Sequence, residues 1–442
     1  MSAPKERERR SLSHVGGPSR IQGDRDAGRM LAEALDVPPS IENEEAAQAH
    51  VHGFHAYPAR MHPLTARRLV ESLSRPLDAV LDPFCGSGTV LVETRLAGRF
   101  AAGVDANPLA VRLARLKATT TTEAEREALV AWAEKIAATA DARREARAGA
   151  SRRLPDADVA LFDPHVLLEL DGVRVGLEGF RPRTPEETFA REALWLVLSS
   201  ILTKVSRRQS DTSDQKAPRR LFAGYVAKLL VRKSRELASR LAEIAPHLKG
   251  APGLWIEEGD ARALEGIDDG AVALTVTSPP YAGVYDYVAH HEARLRWLGM
   301  DDRGFRSREI GARSRLSEVP AIEGRATWDA ELSAVLRSLR RVTKDRGLAV
   351  LLIADSVVGG EAVYADDALF HLSPPAGFEV IAIASQERPH FHGKTRNAFR
   401  GRPRAEHAVM LQTASRPERR PAHEEPRAAK SAGPRRPARG SH

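Results

Sequence analysis

The sequence has almost no cysteine, no long apolar run and no internal repeat, and the first two shortages each remove a class of protein. A single cysteine, Cys85, among 442 residues leaves nothing from which to build a disulfide framework or a cysteine zinc site. No stretch approaches the roughly 18 apolar residues that a membrane-spanning helix needs. Met1-Ser2-Ala3-Pro4-Lys5-Glu6-Arg7 lacks the apolar core of a signal peptide, so a cytoplasmic protein with no membrane attachment is expected. What is present suits a soluble globular body. Hydrophobic residues make up 42% of the chain and charged residues 29%, and the length allows two or three domains.

The formal net charge is +8, and its placement says more than its size. Residues 201–250 hold 12 Lys/Arg against 4 Asp/Glu, a surplus as large as that of the whole chain. Such a patch neutralises phosphates and gives sequence-independent affinity for nucleic acid; a solvated helix face is the plainer alternative. The Pro-rich stretch Gly433-Pro434-Arg435-Arg436-Pro437 belongs to a basic tail, 413–442, that reads as disordered. Residues 1–45 are charged, weakly patterned and rich in Gly, Ser and Pro, and read as a flexible lead.

Strand and helix signals alternate through the rest. Apolar strands are expected at Ala79–Leu81, Phe100–Val104, Leu254–Glu257, Val272–Thr277, Leu348–Ala354, Val380–Ser385 and Ala408–Leu411. Helices are expected at Thr89–Ala97, Pro108–Lys117 and Thr327–Val342. This alternation implies an α/β domain with a mostly parallel sheet and helices on both faces. It is split into halves, 46–120 and 251–412, by a helical, basic insertion over 121–250 with helices at Glu123–Arg147, Pro185–Val205 and Arg219–Ile244. A connection of that length exceeds what a sheet crossover requires, so the insertion has a task of its own.

Two short motifs carry the chemistry. Asp82-Pro83-Phe84-Cys85-Gly86-Ser87-Gly88-Thr89 follows the first strand and opens a helix. Its glycines let the backbone turn sharply and approach a ligand, and the free N–H groups of turn and helix suit a polar or anionic group. Asp105 ends the second strand, 17 residues after Gly88, near the interval at which an acidic residue accepts ribose hydroxyls. Asn107, before Pro108, is equally suited to cap the next helix. Asp260 ends the third strand, where it either reaches a ligand or closes an Asx turn. Cys85 has no basic neighbour in the sequence to activate it and reads as packing. The second motif, Thr277-Ser278-Pro279-Pro280-Tyr281, caps another apolar strand. It combines a hydroxyl, a stiffened backbone carbonyl and an aromatic ring on which a flipped base can stack.

These segments resemble the amino-group DNA methyltransferases, the family that makes N4-methylcytosine or N6-methyladenine. The resemblance rests on Asp82–Thr89, on Ser278–Tyr281 and on Phe54-His55-Ala56-Tyr57-Pro58-Ala59-Arg60-Met61-His62-Pro63. Tyr281–Tyr287, Arg296–Gly299 and Glu387–Phe391 add to it. It implies a Rossmann-like methyltransferase fold, a mostly parallel seven-stranded sheet flanked by helices, with S-adenosyl-L-methionine as cofactor. The implied cofactor residues are Tyr57, Pro58, Ala59, Asp82, Phe84, Gly86, Ser87, Gly88, Thr89, Asp105, Asn107 and Asp260. The implied catalytic residues are Ser278, Pro279, Pro280 and Tyr281, whose acceptors hold the hydrogens of an exocyclic amine while the methyl group arrives.

Serine at the first catalytic position is similar to the cytosine-N4 members, whereas Asp or Asn is commoner among adenine-N6 members. The expected partner is double-stranded DNA, with the insertion as target-recognition region and Arg207, Arg208, Arg219 and Arg220 as candidate nucleic-acid contacts. A cognate restriction or defence enzyme is the protein partner that this class implies. Glu387, Arg388, His390 and His392 lack the spacing of a metal site, and no metal is expected. An RNA guanine-N2 methyltransferase and a non-catalytic DNA-binding protein of the same fold are the competing readings. About 50 weakly patterned residues precede Phe54, where the RNA enzymes usually carry a separate RNA-binding domain.

Overall fold

The computed structural model describes residues 16–210, 213–216, 220–389 and 393–414. Eight strands form the main sheet: β1 (Ser19–Gly23), β2 (Ala79–Asp82), β3 (Phe100–Asp105), β4 (Leu254–Glu258), β5 (Val272–Thr277), β6 (Thr343–Ala354), β7 (Phe378–Glu387) and β8 (Ala405–Thr413). Their order is β1-β7-β8-β6-β5-β2-β3-β4. The five strands from β6 to β4 pair in parallel, while β8 runs antiparallel between β6 and β7. Every residue of β5 is buried, which is why Val-Ala-Leu-Thr-Val-Thr shows no polar alternation: helices cover both faces. The order reverses between β2 and β5, and both motifs lie at the carboxyl ends of those two strands, where ligands bind in open α/β sheets.

The amino-terminal region departs from expectation. Of the 45 residues read as a flexible lead, only 1–15 lie outside the described residues. β1 pairs antiparallel with β7, from Ser19 opposite Gln386 to Gly23 opposite Ala382, so the sheet has eight strands where seven were expected. Asp24 then caps the Arg25–Leu35 helix by accepting from the backbone N–H groups of Asp26 and Ala27, and the helix buries Leu31, Ala34 and Leu35 against the sheet. β1 is polar and largely exposed, and it is held by backbone pairing with β7 and by an Arg20–Asp366 ion pair at 3.7 Å, so its sequence carries no strand pattern.

Residues 121–250 form a helical bundle with a short hairpin, Arg208–Ser210 against Ser213–Lys216. Its long helices span Glu123–Glu145, Pro164–Gly179, Pro185–Val205 and Tyr225–Leu248. The second was not anticipated. The last begins at Tyr225 and not at Arg219, because Gly224 takes a left-handed φ of 80° and ends the preceding turn. The buried Glu169 carboxylate accepts from the Gly224 and Val226 N–H groups at 2.6 and 3.0 Å, capping that helix from a neighbouring one. Leu129, Val173, Leu198, Leu230 and Leu237 share one apolar cluster with Leu91, Leu109 and Leu113, so the bundle core continues into the layer under the sheet. No helix among the described residues is long and apolar enough to cross a membrane.

Candidate active site

Two clefts meet at the carboxyl ends of β2 and β5. The first, about 890 Å³, is lined by the glycine loop, Asp105, Ser278, Pro280, Tyr287 and Phe305, among others. The second, about 1520 Å³ and partly open to solvent, is lined by Tyr281, Tyr285, Arg388, Arg404 and Glu406. Tyr57, Ala59, Arg60, Met61 and Ser278 face both.

The geometry of the first cleft follows from two carboxylates. Asp82 is buried at the end of β2 and accepts from the Thr277 hydroxyl on neighbouring β5 at 2.7 Å and from the Phe84 N–H at 3.2 Å. Burial pushes its pKa up to about 7, against those two bonds. Asp105 accepts from the Gly86 and Asn107 N–H groups, each at 2.8 Å, and so holds the glycine loop to the end of β3. Burial raises it to about 6, again against its hydrogen bonds. The hydroxyls of Ser87 and Thr89 are buried and have no partner within the protein. Both residues line the cleft, and their orphaned groups together with two carboxylates suit a polar, cationic ligand end beside a sugar.

Three residues named from the sequence do not face the first cleft. Asn107 caps the Pro108–Ala118 helix through the Leu109 N–H and donates to the Tyr57 hydroxyl at 3.1 Å, so it orients the tyrosine that divides the clefts. Tyr57 also stacks on His291, with ring centroids 4.9 Å apart. Asp260 is turned to Arg262, which donates to it at 2.7 to 3.0 Å; only its neighbours Gly259 and Ala261 reach the cleft. The Asx-turn reading of that position is the one the geometry favours, since the Arg262 N–H also donates to the Asp260 carboxylate.

Gly88 serves helix packing. Its φ is 86°, and a Cβ there would lie 2.8 Å from the Ala114 Cα of the next helix. Gly86, by contrast, faces the cleft, and a Cβ there would meet the Tyr57 ring at 3.3 Å. Gly88→Ala is expected to destabilise the protein by about 2–4 kcal/mol, from left-handed strain plus overpacking against backbone. Urea denaturation checks this; a loss below about 0.5 kcal/mol would mean that the two helices separate easily.

At the second cleft, Pro279 is buried and the Pro280 carbonyl accepts from the Trp328 indole at 3.3 Å, which fixes the loop from behind. Ser278 Oγ lies 3.3 Å from the Tyr281 hydroxyl, and that hydroxyl donates to Glu406 Oε1 at 3.2 Å. Glu406 Oε2 accepts from Arg388 Nε at 3.1 Å and from its Nη2. Arg388 and Arg404 are both buried, and Arg404 donates to the backbone carbonyls of Asp355 and Pro389. Glu406, Arg404 and Tyr285 were not singled out from the sequence. The signal was Arg402-Pro403-Arg404-Ala405-Glu406-His407, a charged run heading an apolar strand whose start was placed too late, at Ala408.

The candidate nucleic-acid residues lie away from both clefts, on the bundle. Arg207 is ion-paired with Asp163 at 2.8 Å, Arg208 and Arg220 are exposed, and Arg219 lies outside the described residues. His390 and His392 also lie outside them.

The sheet order and the glycine loop between β2 and its helix define a Rossmann-like α/β fold. Residues 22–116 match the family model described as DNA methylase, N6/N4 type. The Type II methyltransferase M.MvaI of Kocuria varians is 38% identical over 71 residues, 15% of this chain and 16% of that protein. The Type II methyltransferase M.MjaII of Methanocaldococcus jannaschii is 30% identical over 82 residues, 19% of this chain and 16% of that protein. The match thus spans about a sixth of each relative's length. TrmN from Thermus thermophilus overlaps 80% of this chain and 49% of its own at 12% identity and a TM-score of 0.31. The cofactor-loop region of the chain is thus similar to DNA methylases of the N6/N4 type.

Proposed function

We propose that the protein is a site-specific DNA methyltransferase that flips a base and methylates its exocyclic amine, with cytosine N4 as the preferred target. One observation carries the reading: Ser278 faces both clefts, so a single hydroxyl borders the place for a methyl donor and the place for an acceptor base. S-adenosylmethionine, when bound, supplies an electrophilic methyl group on a sulfonium. Asp82, Ser87 and Thr89 would hold its methionine end and Asp105 its ribose, with Phe84, Pro58 and Ala59 against its apolar parts. The orphaned Ser87 and Thr89 hydroxyls suit that group, as does a carboxylate pair with no cation in contact among the described residues.

The target nitrogen is a poor nucleophile because its lone pair is conjugated into the ring. Ser278 Oγ and the Pro279 carbonyl are the acceptors that draw its hydrogens out of the ring plane, and Tyr281 and Tyr57 bound the slot for the ring. Cytosine is favoured by the donors in the second cleft. Beyond its amine, cytosine presents two acceptors, N3 and O2, to Arg388 and Arg404, whereas adenine presents one acceptor and a C–H. Guanine approached at N2 would turn an N–H toward the same guanidinium groups. The basic bundle face with Arg208 and Arg220 is the proposed contact to DNA phosphates, and a restriction or defence enzyme with the same target site is the proposed functional partner.

The test is nucleoside mass spectrometry on DNA and RNA from a methylation-free host expressing the protein. N4-methylcytosine in DNA is the expected result. N6-methyladenine would keep the chemistry and overturn the choice of base. Methylguanosine in RNA with unmodified DNA would overturn the assignment to DNA.

A further inference from the structure

The catalytic loop does not end at Tyr281. Its hydroxyl joins Ser278 Oγ, 3.3 Å away, to Glu406 Oε1, 3.2 Å away, although Glu406 lies 125 residues downstream at the head of β8. Glu406 is held in place from the other side by Arg388, which donates to Oε2 through Nε and Nη2 and to Gln386 through Nη1 at 2.6 Å. A stacking platform needs only a ring. The phenol oxygen, placed between a hydroxyl and a buried carboxylate, is unexplained by stacking.

Building on the methyltransferase reading, we propose that Ser278, Tyr281 and Glu406 form a relay that takes the proton released by the target amine, with Glu406 as its terminal acceptor. The new C–N bond forms as the C–S bond of the methyl donor breaks, leaving a neutral thioether and a proton in excess on the nitrogen. That proton passes to Ser278 Oγ, the Ser278 proton to the Tyr281 oxygen and the Tyr281 proton to Glu406, which becomes a neutral acid and returns it to water through the open second cleft. The relay also acts before transfer. A carboxylate at its far end makes Ser278 Oγ a stronger acceptor, which draws the amine N–H outward and frees the lone pair. Among the described residues, the charged and titratable groups facing Glu406 are Arg388 just after β7, Arg404 just before β8 and Tyr281 from the catalytic loop, with Tyr285 across the cleft. Glu406 works through Tyr281, so it is a positioning and relay residue and not one that touches the base.

Tyr281→Phe and Glu406→Gln separate this role from structure. Phenylalanine keeps the stacking ring, and glutamine keeps an oxygen for Tyr281 and Arg388 but takes no proton. Single-turnover methylation of DNA, with cofactor saturating, should fall on the order of 10²-fold in each. The double variant should lose no more than either alone, because both break one chain. Cofactor and DNA affinities should stay unchanged in both single variants, so that the loss falls on the rate of transfer alone. Wild-type rates in Tyr281→Phe, or multiplicative losses in the double variant, would overturn the relay and leave the methyltransferase reading intact. A wild-type protein that methylates no DNA would overturn both.

Discussion

Replacing Ser278 with alanine is expected to lower single-turnover methylation on the order of 10²–10³-fold while cofactor affinity changes by less than about twofold. The loss equals about 2.7–4 kcal/mol, the scale found when one preorganised hydrogen-bonding group is removed from a transition state. Ser278 earns that weight by position. It stands between two clefts on a loop fixed by two prolines, by the Trp328 indole on the Pro280 carbonyl and by the Tyr281 hydroxyl. The fold should tolerate the change, because the serine gives up one hydrogen bond near the surface, about 0.5–1.5 kcal/mol. Tyr281→Ala should be at least as inactive and should also weaken binding of DNA containing the flipped base, since it removes the ring as well as the phenol. Radiolabelled methyl transfer beside cofactor calorimetry reads both quantities. Near-wild-type rates in both variants would remove this loop from the chemistry.

The parts of the site that the sequence disclosed are those whose signals are local. Asp82–Thr89 joins a buried strand to a helix, and the positive φ at Gly86 and Gly88 demands glycine, so the motif can be read from eight neighbouring letters. β5 was visible for the same reason: six consecutive buried residues, four of them apolar and the other two β-branched threonines. What stayed hidden depends on contacts across the chain. β1 is a polar edge strand whose partner lies more than 360 residues away, between Ser19 and Gln386. Glu406 gains meaning only beside Tyr281 and Arg388, and the Glu169 carboxylate only beneath the helix it caps. Asp260 shows the converse, a local signal with two readings, where Arg262 two residues on settles which one the side chain adopts. Gly88 shows it again, since one glycine motif both lines a cleft, through Gly86, and packs two helices, through Gly88.

Cofactor affinity is expected to weaken as the pH falls below 7, by about tenfold per unit and toward 100-fold at pH 5, through Asp82. The sign follows from burial. Without a cation beside it, Asp82 keeps its proton up to about pH 7 and Asp105 keeps its own up to about pH 6, in each case because burial disfavours the charge. A ligand ammonium prefers the ionised carboxylate, so binding at pH 6 must first expel a proton and binding at pH 8 need not. The same shifts act on folding in the opposite sense. A carboxyl group raised in the folded state stabilises it below its unfolded value of about 4, and that contribution is lost as pH rises through 6 and 7. The ligand-free protein should therefore lose these two contributions between about pH 4 and 7, while the rise in melting temperature on adding S-adenosylmethionine grows as the pH approaches 7. Calorimetry in buffers of different ionisation enthalpy adds a direct reading: close to one proton released per cofactor bound at pH 6, with the release falling away as the pH passes 7. Asp82→Asn should remove most of the pH dependence and bind weakly throughout. A cofactor affinity that is flat from pH 5 to 8 in the wild type would mean that Asp82 does not face the cationic end of the ligand, and the Thr277 contact would then be its whole role.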